Sequence, residues 1–155
     1  MNQGTTQRTA WTRLVVPVDE IVARVPGAHI ALLDPFLPAD DVDDGVVSEL
    51  RELFAEVVPF AYVLGEPAWF PDGEQYLPPQ PVLVFRRITH SLRRAFPESI
   101  GPATSLDTVV PHLSVPEESD VPTPLEVHAR EAHLLVGRGE NETVLATFRF
   151  GTSAA

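Results

Sequence analysis

The stretch Ala28-His29-Ile30-Ala31-Leu32-Leu33 and its counterpart Val109-Val110-Pro111-His112-Leu113-Ser114-Val115 decide how this chain is read. Each has the composition of a β-strand, and each sets a histidine before an apolar-small-apolar run. In a strand, residues two apart share a face. His112 and Ser114 therefore project together, with Leu113 and Val115 on the opposite side. His29 and Ala31 do the same in front of Ile30 and Leu32. A polar pair backed by an apolar pair suits a strand that lines a cleft. About half the chain separates the two stretches. Such an internal echo predicts a pseudo-two-fold arrangement with the two strands meeting at its axis.

Working outward from the first stretch, Leu14–Val18 reads as a strand, with Pro17 marking an edge or an end. Residues 19–25 read as a short helix capped by Asp19, and Pro26-Gly27 as a turn. Asp34-Pro35 closes the histidine strand. The acidic run 39–45 opens a helix, capped by Asp43 or Asp44. Its apolar residues Val46, Val47, Leu50, Leu53, Phe54 and Val57 recur at helical spacing. Residues 60–64 and 68–70 read as strands, and Phe70-Pro71-Asp72-Gly73 as a turn. The segment Tyr76-Leu77-Pro78-Pro79 leads into 82–85, and residues 86–96 form a helix with Ile88, Leu92 and Phe96 on one face. Beyond the second stretch, 123–130 reads as helical. His133–Val136 and Thr143–Phe150 read as a hairpin around 137–141. Strands and helices are mixed, with some strands consecutive, so the fold class is α+β rather than alternating βαβ.

The length, 155 residues, suits one domain, 1–155, built of two similar lobes, with a polar, disordered start at 1–10. Apolar residues at 44% and charged residues at 21% favour a packed core over disorder. Sixteen prolines, clustered between the apolar runs, divide the chain into short elements. No apolar run is long enough to span a membrane, and residues 1–13 lack the apolar core of a signal peptide. The chain has no cysteine, which excludes disulfides and thiolate metal sites and makes a cytoplasmic location the expectation. Twenty-two acids oppose 11 bases, for a net charge of −11. That balance argues against a grip on long nucleic acid, which needs a basic stripe. Arg86, Arg87, Arg93 and Arg94 read as the solvated face of a helix. A phosphate-bearing partner would be small.

The segments His-Ile-Ala-Leu-Leu-Asp-Pro-Phe (29–36) and Pro-His-Leu-Ser-Val (111–115) resemble the two signature motifs of the 2H phosphoesterase superfamily, in which His-apolar-Thr/Ser-apolar occurs twice. They are most similar to the bacterial 2′-5′ RNA ligase branch, where a Pro-Phe pair follows the first motif, here Pro35-Phe36. The resemblance runs from about Leu14 to Phe150 and takes in the Tyr-Leu-Pro-Pro turn and the helix ending at Phe96-Pro97. It implies a bilobal fold of two antiparallel sheets flanked by helices, with both motifs in a central cleft. It also implies phosphoester chemistry without metal or cofactor, on a 2′,3′-cyclic or 2′-5′-linked nucleotide phosphate. The partner would be a small nucleotide or an RNA-end phosphate, with no membrane, and the protein a monomer. His29 and His112 would be the catalytic pair. In-line displacement at phosphorus needs a base on the incoming oxygen and an acid on the departing one, and histidine serves as either near neutral pH. Ser114 would donate to a non-bridging phosphate oxygen. Which histidine is the acid is open at this level.

One position departs from the motif. Ala31 stands where the family has Thr or Ser, and losing a preorganised donor costs a rate factor of about 10²–10³. A second expectation is therefore a weakened module that binds a nucleotide or another small anion without turnover. Asp34 would repel a phosphate if it faced the cleft; its position before proline favours a turn role. His90 reads as a surface residue, and His128 and His133, which lack motif context, are not read as site residues. A zinc site built on His29 and His112 lacks a supporting spacing, and the acidic run 39–45 lacks that of a calcium loop. Trp11, Trp69 and Phe70 could stack a base, though packing is the commoner role.

Overall fold

Every side chain from Thr12 to Val16 is buried, so the strand they form, β1 (Thr12–Pro17), is central. The computed structural model describes residues 10–99, 111–116, 119–137 and 141–151. After β1 come β2 (His29–Leu33), α1 (Asp44–Ala55), β3 (Phe60–Leu64), β4 (Ala68–Trp69), β5 (Gln75–Leu77), β6 (Pro79–Gln80) and α2 (Val82–Ala95). They are followed by β7 (Leu113–Ser114), β8 (Leu125–Ala129), β9 (Glu131–Val136) and β10 (Thr143–Arg149). One sheet has the order β10-β9-β1-β2-β7-β5-β4 and the other β6-β3-β8. All strand pairs are antiparallel. Two antiparallel sheets with helices against them are the architecture expected from the sequence. Pro17 ends β1 opposite His29, so it removes no donor from the middle of the ladder.

The helices attach through aromatic side chains and one buried hydroxyl. In α1, Leu50 and Phe54 form the inward stripe, and Phe54 stacks on Phe148 and Phe150 with centroids 5.5 and 5.9 Å away. Phe150 in turn stacks on Phe60 of β3. In α2, Phe85 meets Phe60 and Tyr62 edge-on, which ties this helix to the smaller sheet. At the other end of α2 the large sheet is the partner. Thr89 Oγ1 donates to Leu32 O of β2 at 2.8 Å, and Phe96 packs edge-on against Phe36. One helix face thus fixes β2 relative to both sheets.

Several expectations are corrected. Residues 19–25 form only a single 3-10 turn, Asp19–Ile21, preceded by Val18 with no side-chain cap. The four residues 82–85 are the first turn of α2, not a lead-in, because Phe85 belongs to the same inward stripe as Ile88 and Leu92. Residues 123–130 are not helical. Leu125, Val127 and Ala129 turn inward while Glu126 and His128 face water, and this period of two builds β8 against β3. The disordered start expected at 1–10 lies, except for Ala10, outside the described residues, as do Val109, Val110 and most of the final hairpin's turn. No helix among the described residues is long and apolar enough to cross a membrane.

Candidate active site

The two histidine strands are neighbours. β2 pairs with β7 through Ile30 opposite Leu113, both buried. In antiparallel register this sets His29 across from Ser114 and Ala31 across from His112, all four on the face away from the core. The two imidazoles lie on a diagonal, a separation that spans roughly 7–8 Å between backbones. His29, Ala31, His112 and Ser114 line one cavity of about 410 Å³, together with the 25–28 turn, the end of β2, Asp34, Pro35 and Arg93. The structure brings together every site residue expected from the sequence.

Each imidazole is held differently. His29 Nδ1 lies 2.8 Å from Gly27 O. A carbonyl only accepts, so Nδ1 carries a proton, and in the neutral ring the lone pair is then on Nε2. Gly27 aims that carbonyl from a backbone at φ 74°, a region costly for any residue with a Cβ. His112 is gripped by aromatic rings. Phe70 and Tyr76 meet it edge-on with centroids at 4.9 and 5.7 Å, and these two stack on each other at 4.1 Å. Phe70 is thus a wall for an imidazole, while Trp69, 56% exposed, and Trp11, 53% exposed, lie outside the cavity lining.

The hydroxyl at the second motif is already engaged. Ser114 Oγ donates to Glu74 Oε2 at 2.9 Å. Glu74 follows the Phe70–Gly73 turn, whose Gly73 amide donates to Phe70 O. Asp34 lines the cavity and is exposed. His128 and His133 pair with Glu20 and Glu131, and neither lines the cavity. Among the described residues no three His, Asp or Glu side chains converge as a metal site.

Two functional candidates escape the sequence reading. Glu74 reaches Ser114 only because β5 pairs with β7 across 38 positions of chain, Tyr76 opposite Ser114. Arg93 reads, in the sequence, as one of four solvated arginines. Arg86, Arg87 and Arg94 are exposed, but Arg93 is 5% exposed and lines the cavity. A signal for it exists: Thr89, Leu92, Arg93 and Phe96 follow the i, i+3, i+4, i+7 pattern of an inward stripe. Burial pushes the Arg93 pKa down from its usual value.

A family model, the 2'-5' RNA ligase superfamily, matches residues 5–141. Among solved structures, the protein TT0787 of Thermus thermophilus is similar with a TM-score of 0.69 at 19% identity, over 92% of this chain and 100% of that one. A phosphoesterase gives a TM-score of 0.65 at 14% identity, over 94% and 100%. LigT of E. coli, complexed with 3'-AMP, gives 0.63 at 15% identity, again over 94% and 100%. At such identities these likenesses establish the fold alone. A comparison with curated proteins returns no match. The family match runs through both histidine strands and most of the chain between and around them, and by it the chain belongs to the 2'-5' RNA ligase superfamily.

Proposed function

We propose that the protein is a phosphoesterase that opens a small 2′,3′-cyclic or 2′-5′-linked nucleotide phosphodiester, with His29 and His112 as its acid–base pair. The observation that carries this reading is the delivery of both imidazoles into one cavity by adjacent strands. Superfamily membership supports phosphoesterase-like chemistry, and LigT, which shares the fold, binds 3'-AMP and ATP. The hydrogen bond to Gly27 supports His29 as the base, since it leaves Nε2 ready to accept. His29 takes a proton from water as the water oxygen bonds to phosphorus. His112, protonated at the start, gives its proton to the ribose oxygen as the P–O bond breaks. The product is the open monophosphate, and proton exchange with solvent resets the pair. No metal enters this scheme.

A second reading is favoured by Ala31 and by the Ser114–Glu74 bond: a cleft that binds the anion without turning it over. One assay separates the two. The four nucleoside 2′,3′-cyclic monophosphates are incubated in EDTA with wild type, His29→Ala, His112→Ala and Ala31→Thr. The phosphoesterase reading expects wild-type turnover that falls by about 10²-fold or more in each histidine variant. It expects a rise of about tenfold in Ala31→Thr, whose hydroxyl would stand across from His112. No turnover by wild type or Ala31→Thr, with 3'-AMP still bound, would reject it and leave the binding reading.

A further inference from the structure

Arginine keeps its charge at any pH the fold survives, and a buried cation without a partner is costly. Arg93 Nε and Nη1 are both buried, and neither has a hydrogen-bond partner among the described residues. Arg93 nevertheless lines the cleft. Thr89, one turn earlier on the same face of α2, is bonded to the backbone of β2, and Arg93 follows it onto the cavity wall. The motif hydroxyls offer little to an anion there. One is missing, at Ala31, and the other donates its hydrogen bond to Glu74. A cavity that takes a phosphate needs donors, and Arg93 brings unpaired ones.

We propose that Arg93 is the anion receptor of this cleft, donating to non-bridging phosphate oxygens in place of the motif hydroxyls. The inference rests on the reading of the cleft as a phosphate site and names the residue that holds the phosphate. It assigns Arg93 a binding role beside the histidines and makes α2, through its Thr89 anchor, the element that sets where the phosphorus lies. Asp34 lines the same cavity with the opposite charge but is exposed, so water screens it while Arg93 acts from a drier wall.

The experiment compares wild type, Arg93→Met and Arg93→Lys. Dissociation constants for inorganic phosphate are measured by calorimetry, and kcat and KM for a 2′,3′-cyclic nucleotide on the same preparations. Methionine fills similar volume without the charge, so the variant is expected to fold and to melt no lower than wild type. If it does not fold, Arg93→Lys and the ¹⁵Nε resonance of Arg93 in wild type decide the question. Arg93→Met is expected to weaken phosphate binding about 10- to 100-fold, with Arg93→Lys between the two. The Arg93 resonance should move with the same dissociation constant as the calorimetric titration. Wild-type affinity in Arg93→Met, a resonance unmoved at saturation, or no phosphate binding by wild type overturns the proposal. Turnover with unchanged KM in Arg93→Met overturns Arg93 and leaves the phosphoesterase standing. Phosphate binding that depends on Arg93 in a protein without turnover does the reverse.

Discussion

Glu74 sits beside Ser114 as a carboxylate at the edge of a cleft proposed to take an anion. Its charge opposes a phosphate, and its oxygen holds the hydroxyl proton the phosphate would use. Glu74→Gln keeps an acceptor for Ser114 and removes the charge. It is expected to lower KM for a cyclic nucleotide about three- to tenfold with little change in kcat, as steady-state kinetics at low salt would register. A KM that stays put would mean that Glu74 swings away when ligand arrives. His29, His112 and Ser114 are legible one by one in the sequence, because strand period alone decides which residues share a face. Glu74 is not, since nothing local to residues 70–77 says that they pair with β7. Arg93 is legible by helical spacing but is hidden among three exposed arginines.

Among the elements, α1 owes its start to one residue. Asp43 accepts from the Val46 amide at 2.9 Å, the N-cap expected from the acidic run. Asp43→Ala is expected to destabilise the protein by about 1 kcal/mol in urea denaturation with an unchanged m-value. The cavity wall should be untouched, since α1 contributes nothing to it. The elements β1, β2, α1 and β3 match the sequence reading closely. β8 departs from it although it is as long as β2 and β3, because in five positions alternating and helical patterns overlap. β5 and β6, of three and two residues, exist because partners stand beside them. The first turn of α2 is hard to see because Val82–Phe85 is apolar on consecutive positions, which a strand also tolerates.

For the molecule as a whole, charge and substrate oppose each other. The chain carries a net −11, and the proposed substrates are anions. Long-range repulsion slows their approach, and salt screens it. The value of kcat/KM is therefore expected to rise about two- to fivefold between about 20 and about 200 mM salt, measured at constant pH. Proteins that steer anions with a basic surface show the opposite trend. A flat or falling profile would mean that Arg93 and the histidines dominate the field at the cleft mouth.

The order of strands in the large sheet reaches back to the chain's synthesis. β1 lies between β2 and β9, and Arg13 of β1 bonds to Gly137 O and Glu142 at the far end of the sequence. On a ribosome adding about 5–20 residues per second, β1 waits roughly 10 s for β9. During that interval β1 has an open edge on the side that β9 will cover, while β1 and β7, the two neighbours of β2, are both made before β9. A nascent chain halted before residue 131 therefore carries every residue that lines the cleft and still offers a chaperone an unpaired strand.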